Sequence, residues 1–352
     1  MQNIKAYGAI NKDADLKEMT ITRRDLNDND VKIDILYCGV CHSDIHAKNN
    51  DWGNAKYPIV PGHEIIGKVL EVGGKVSNYK EGDLVGVGCM VDSCQTCSAC
   101  QDDLEQFCEN GMTGTYNGKD RIGGSGSDHT FGGYSTSITV REDFVLTIPE
   151  NLDAKAAAPL LCAGITTFSP LNHWKIKKGD KVGVVGLGGL GHMGIKFAAA
   201  MGAETIMITT SPSKAEDAKR LGANGVLISK NAEEMKEHQG SFDFILNTVP
   251  VKHDINPYLS LLKRDSTMCM VGAIEPLEPM HGGSLILGRK RVAGSLIGGI
   301  KETQEMLDFC GENNIVCDVE MINIDEINKA YKKVQDNDVK YRFVIDMKSL
   351  KD

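Results

Sequence analysis

Four cysteines, Cys94, Cys97, Cys100 and Cys108, stand in the run SCQTCSACQDDLEQFC with the spacing C-x2-C-x2-C-x7-C. Four thiolates on so short a loop can close a tetrahedral shell around zinc and leave no position open, the mark of a structural site. An iron–sulfur cluster also takes four cysteines, although the bacterial ferredoxin spacing is tighter and ends in Cys-Pro. Four unrelated core cysteines do not suit a segment this polar.

A second group is the glycine-rich KVGVVGLGGLGHMG, in which Gly186, Gly188 and Gly191 form G-x-G-x-x-G around Leu187, Gly189 and Leu190. The run follows an apolar strand pattern and opens an Ala-rich helix pattern, the setting that a dinucleotide fingerprint requires. The first glycine permits the tight turn, the second lets backbone approach a pyrophosphate, and the third lets helix and strand pack closely. A pyrophosphate there would lie at the positive end of the helix.

The cofactor's identity is read one strand later, in ETIMITTSPSK. NAD-binding proteins place an Asp or Glu about 20 residues past the glycines, where it accepts hydrogen bonds from the adenosine ribose and repels a 2′-phosphate. That position falls at Thr210, and Thr210, Ser211 and Ser213 offer hydroxyls while Lys214 offers positive charge. This set suits a phosphate dianion and predicts NADP(H). Helix capping by Ser-Pro-Ser is the alternative use of these hydroxyls. The same cofactor site is expected to include Thr248, Gly272, Ser295, Leu296 and Ile297.

Further metal-ligand types are scattered: Cys41 in CGVCHSDIH, His63 and Glu64 in VPGHEIIG, Cys162 in APLLCAGITT. Singly each reads as a core or surface residue. Together, two cysteines and a histidine would make the open shell of a catalytic zinc. Cys38, Cys89, Cys269, Cys310 and Cys317 read as packing residues. His129 falls in a Gly-Ser-rich loop, and His192 reads as a cofactor contact or a helix-surface residue.

The elements that must position these groups change texture along the chain. Up to about residue 150, short β-branched runs such as VKIDILYC and EIIGKVLEV alternate with Gly, Asn and Asp turns, an all-β pattern. Beyond Pro149, apolar runs KVGVV, ETIMIT, GVLIS, FDFILNT and TMCMVG are separated by helix-length segments. Such strands imply a parallel sheet covered on both faces. A strand-like RVAGSLIGG precedes the helical ETQEMLDFCGENN, and the chain closes on the strand-like YRFVIDM.

With 352 residues, 41% of them hydrophobic, the chain is long enough for two domains of ordinary size. A net charge of −9 without blocks of like charge argues against nucleic acid or an anionic membrane as partner. No apolar run reaches the roughly 20 residues that a membrane span needs, and the polar start lacks the pattern of a signal peptide. A cytoplasmic location is therefore expected, and in that compartment clustered cysteines read as metal ligands rather than disulfides.

Over essentially its whole length the chain resembles the zinc-containing medium-chain alcohol dehydrogenases, and within them the cinnamyl alcohol dehydrogenase branch. The matching stretches, in the family's order, include CGVCHSDIH, YPIVPGHE, GDLVGVGC, the four-cysteine loop, AAPLLCAGITTFSPL, GLGGLGHMG, PYLSLLK and GSLIGGIKETQEMLDFC. The resemblance implies an α/β protein with a GroES-like β-barrel catalytic domain, residues 1–155 and 297–352, and a Rossmann doubly wound parallel-sheet domain, residues 156–296. It implies that Cys41, His63 and Cys162 bind a catalytic zinc with Glu64 as an alternative ligand. Ser43 and His46 become a proton relay, and Ser43 also touches the cofactor site. Two zinc ions per chain, NADP(H), a small-molecule alcohol or aldehyde and a homodimer are the expected partners. Plant members carry an aromatic residue soon after the fourth structural cysteine, where this chain has MTGTY, so no particular aldehyde is implied.

Overall fold

Apolar strands that alternate with helices can hide both faces only as the middle layer of an α/β unit. Such a unit forms from Ala163–Ile297, and a second comprises Met1–Cys162 with Gly298–Asp352. The computed structural model describes residues 1–272 and 275–351.

In the Ala163–Ile297 unit, six strands pair in the order Gly225–Ile228, Glu204–Thr209, Lys181–Val185, Phe242–Asn247, Leu262–Met270, Arg291–Gly294. All five pairings are parallel. Numbered along the chain, the order is 3-2-1-4-5-6, the doubly wound arrangement, and the winding reverses between the Lys181–Val185 and Phe242–Asn247 strands. Val182, Val184, Ile245 and Leu246 are fully buried in the central strands. The Gly191–Ala200 helix lies close to them because Gly194 has no side chain: a Cβ there would stand 2.8 Å from Leu246 Cδ2. Of the sequence run RVAGSLIGG, only Arg291–Gly294 is strand, at the sheet edge.

The other unit is built on a seven-stranded sheet in which the long Asp30–Gly39 strand is central. It pairs antiparallel with Ile65–Val72, Ser137–Arg141 and the late Arg342–Asp346 strand. The tail thus returns to the fold of the first residues, and Arg342–Asp346 in turn pairs parallel with Val319–Asn323. Alternate residues Val31, Ile33 and Ile35 of the central strand are wholly buried, as the period of two predicts. The helical turns Ala154–Ala157 and Ala158–Leu161 pack on the Asp30–Gly39 and Ile65–Val72 strands. The unit boundary therefore follows Cys162, whereas the sequence reading divides the chain after residue 155.

Candidate active site

Cys41 caps the N-terminus of the His42–Asn49 helix, and the third helical residue, Asp44, turns back to accept a hydrogen bond from the Cys41 amide at 2.8 Å. The same buried carboxylate accepts from the Gly62 amide and from His63 Nδ1, each at 3.1 Å. Asp44 therefore ties the helix start to the segment that carries His63. Cys162 follows the turn packed on the central strands, and its Sγ lies 3.9 Å from that of Cys41.

One ligand atom each from Cys41, His63, Glu64 and Cys162 falls within 4.8 Å of the others, and all four residues are buried. Tetrahedral geometry with zinc–sulfur bonds of about 2.3 Å requires thiolates roughly 3.8 Å apart, so the sulfur pair fits a shared zinc ion. With Nδ1 engaged by Asp44, Nε2 is the nitrogen that His63 has left for a metal. Glu64 Oε1 accepts from the Arg342 guanidinium, while its Oε2 is buried without a hydrogen bond. An orphaned buried oxygen beside two thiols and an imidazole suits a cation.

The electrostatics agree with that donor set. A hydrogen bond from Cys162 holds the Cys41 thiol well below the usual range and pushes Cys162 well above it. Burial works to lower the His63 value, but the Asp44 carboxylate and the neighbouring sulfurs outweigh it and raise the ring well above an ordinary imidazole. Burial also lifts Glu64, to about 7, against the pull of Arg342. A bound cation would draw the protons off all four groups.

Ser43 and His46 lie one turn apart on the same helix, hence on one face. His46 Nδ1 is 2.7 Å from Asp51 Oδ2, and the ring stands 5.7 Å from that of Trp52. These contacts fix the imidazole and leave its second nitrogen for other partners.

The four-cysteine loop closes on itself: one sulfur from each of Cys94, Cys97, Cys100 and Cys108 lies within 4.8 Å of the rest. The Cys94–Cys100 and Cys97–Cys100 separations are 4.0 and 3.5 Å. Amides of Cys94, Cys97 and Glu109 donate to the sulfurs of Cys108, Cys94 and Cys97, each at 3.4 Å. Hydrogen bonds, foremost from Asn110 and then from backbone amides, hold Cys94 down at about 5, while burial raises Cys100 to about 12. The donors present are all sulfur and the shell has no room for a substrate, which fits structural zinc.

In the other unit the expected cofactor residues follow the carboxyl ends of five strands: Gly186, Thr210, Thr248, Gly272 and Ser295 come after Val185, Thr209, Asn247, Met270 and Gly294. Ligands of doubly wound sheets bind at that edge, by the switch point. Gly186 has φ +92°, and a Cβ on Gly191 would lie 2.1 Å from the Gly186 carbonyl oxygen. Around Gly188, by contrast, a Cβ would meet nothing within 4 Å, so its backbone is open to an approaching ligand. Thr248 Oγ1 props the turn by donating to the Val185 carbonyl at 2.8 Å.

Thr210 and Ser213 are exposed, and neither Ser211 nor Lys214 caps its helix through its side chain. Those hydroxyls are not spent on capping. Lys214 Nζ donates to the Leu187 carbonyl at 3.0 Å, which links this turn to the glycine loop. Leu296 is exposed and Ile297 buried, just beyond the edge strand. His192 is wholly buried, with Nδ1 3.3 Å from the Gly188 carbonyl, so it is not a helix-surface residue.

Three residues of the first unit were not legible as site components. Asp44 is signalled only by its place three residues past Cys41, the position of a capping acid. Tyr116, in the MTGTY run, brings its ring to 5.6 Å from that of His63, and nothing in its sequence setting marks that contact. Arg342 is a lone cation in the apolar run YRFVIDM, a pattern that points to a buried charge pair but not to its partner.

Comparison with known proteins places these features in a family. Residues 27–150 match the alcohol dehydrogenase GroES-like domain, and residues 189–312 match the zinc-binding dehydrogenase domain. The chain is 56% identical to aldehyde reductase YahK of Escherichia coli strain K12, with 99% of each chain covered. It is 50% identical to NADP-dependent alcohol dehydrogenase C 1 of Mycolicibacterium smegmatis over 100% of both chains. The crystal structure of a Helicobacter pylori CAD complexed with NADP(H) superposes with a TM-score of 0.91 at 41% identity, covering 98% of each chain.

Proposed function

The chain belongs to the zinc-type medium-chain alcohol dehydrogenases, and from that premise we propose that Cys41, His63 and Cys162 hold its catalytic zinc, with Glu64 as alternative ligand. It is an oxidoreductase that interconverts alcohols and aldehydes with zinc and NADP(H) as cofactors. The four buried ligand atoms within 4.8 Å carry the residue assignment. When bound, zinc supplies Lewis acidity toward an alcohol or carbonyl oxygen, and NADP(H) gives or takes the hydride.

The chain's own residues bind, orient and move the proton. Ser43 Oγ accepts the proton of a substrate hydroxyl in oxidation as its own hydroxyl proton passes on toward His46, and the order reverses in reduction. His46 exchanges that proton with solvent through the ring nitrogen not held by Asp51. Asp44 keeps His63 in the tautomer with Nε2 free. The Gly186–Gly191 loop, including Leu187, Gly189 and Leu190, receives the pyrophosphate. Thr210, Ser211 and Ser213 donate to the 2′-phosphate, and Lys214 adds charge. Thr248, Gly272, Ser295, Leu296 and Ile297 complete the cofactor contacts.

Cys94, Cys97, Cys100 and Cys108 hold a second, structural zinc. The unit of Met1–Cys162 and Gly298–Asp352 is then the catalytic domain, and Ala163–Ile297 binds the dinucleotide. Primary aldehydes, aromatic or aliphatic, are the substrates, with Tyr116 giving an aromatic wall beside His63. No helix among the described residues is long and apolar enough to cross a membrane; the clustered cysteines, read as metal ligands rather than disulfides, support a cytoplasmic location. Homodimers form through the Arg291–Gly294 edge strand, beside which Ile286 and Leu287 are 80% and 92% exposed.

The test is a panel of primary aldehydes and alcohols assayed with NADPH and NADH. Aldehyde reduction with NADPH is expected. Failure of every primary aldehyde with zinc-replete enzyme would overturn the substrate class.

A further inference from the structure

The geometry points to Tyr134 as a positioning residue for the catalytic metal, acting through Asp44; this rests on the reading of His63 and Cys41 as ligands. Tyr134 is fully buried, and its hydroxyl donates to Asp44 Oδ2 at 3.2 Å. That oxygen also takes the Cys41 amide, while Oδ1 takes the Gly62 amide and His63 Nδ1. A carboxylate has about four acceptor sites. Asp44 thus has two donors on each oxygen, and the Tyr134 hydroxyl supplies one of the four.

Asp44 is buried with no Lys or Arg among these donors, so each hydrogen bond it accepts counts toward holding it in place. Loss of one donor leaves an unfilled site on a buried anion and frees the carboxylate to rotate. Both groups that it orients, the Cys41 amide and the His63 ring, would then lose their fixed geometry. Partners of metal ligands typically change metal affinity 10- to 100-fold when removed.

The backbone around Tyr134 does not depend on the hydroxyl. Amides of Gly132, Gly133 and Tyr134 donate to the carbonyls of Val60, Gly62 and Pro61 at 2.7, 2.8 and 3.0 Å. Tyr134→Phe therefore keeps the ring and this pairing and removes one donor. Tyr331, on the Ile327–Gln335 helix, offers a matched control. Its ring is also buried and its hydroxyl lies near Tyr134 and Asp44, but it is not among the donors to the Asp44 carboxylate.

The experiment follows zinc release from the holoenzyme into excess colorimetric chelator, together with visible spectra of the cobalt-substituted enzyme. Tyr134→Phe should speed release of one of the two ions about tenfold and shift the cobalt bands, with release of the other ion unchanged. Tyr331→Phe should match wild type. Release of both ions from Tyr134→Phe at wild-type rates, or equal acceleration of both, would overturn the proposal. Cys162→Ser separates the two failures. If that variant keeps both ions, the ligand reading is wrong; if it loses one while Tyr134→Phe behaves as wild type, only the role of Tyr134 fails.

Discussion

Just past the Glu204–Thr209 strand of the parallel sheet, position 210 carries a hydroxyl where a carboxylate would reject a phosphorylated ribose. Thr210→Asp places a negative charge a few ångströms from the expected 2′-phosphate. At an effective dielectric near 20 such a pair repels by a few kcal/mol before salt screening. kcat/KM for NADPH should fall at least about tenfold, with NADH use less affected, and steady-state assays with both cofactors decide it. Proton transfer by a positioned side chain contributes about 10²- to 10⁴-fold. Ser43→Ala should therefore lower kcat by about 10²-fold while metal analysis still finds two zinc ions. A variant that lost zinc as well would move Ser43 from relay to scaffold.

The glycine turn between the Lys181–Val185 strand and the Gly191–Ala200 helix is where element geometry makes its sharpest demand. A Cβ at Gly191 would stand 2.1 Å from backbone oxygen, whereas one at Gly188 would meet nothing within 4 Å. Gly191→Ala should destabilise the protein by about 1–3 kcal/mol, the range for overpacking against an unyielding neighbour. Gly188→Ala should leave the melting temperature unchanged and raise the NADPH dissociation constant several-fold, since its methyl occupies the ligand's path. Thermal melts paired with fluorescence titration separate the two effects. The cysteine loop makes a parallel contrast: Cys94→Ser opens a closed sulfur shell that has no place for substrate and should lower thermal stability first, whereas Cys162→Ser should abolish turnover first.

At the scale of the whole molecule, an exposed edge strand with large apolar neighbours is a surface that another chain would cover. The Arg291–Gly294 strand ends the six-stranded sheet, and Ile286 and Leu287 stand beside it largely in solvent. Light scattering should give twice the chain mass of 38.2 kDa. A value of one chain mass at working concentration would contradict the dimer, and Leu287→Lys should shift the wild-type equilibrium toward that value.

The residues by themselves determined whatever is local. Four cysteines between positions 94 and 108, a glycine fingerprint between strand and helix, and the missing acid at Thr210 each lie within one short segment. There, spacing along the chain is already spacing in space. Strand and helix periods likewise marked the parallel sheet, because burial on two faces leaves continuous apolar runs. The catalytic set is different in kind. Cys41 and Cys162 are 121 residues apart, and Arg342 reaches Glu64 across 278. Only the pairing of Asp30–Gly39 with Ile65–Val72 and with the returning Arg342–Asp346 strand brings them together. No period or motif encodes that pairing, since register and chain return are settled by burial of the whole sheet face. For the same reason Asp44 draws no reading from the sequence, and only the folded chain makes it the shared acceptor of Cys41, Gly62, His63 and Tyr134.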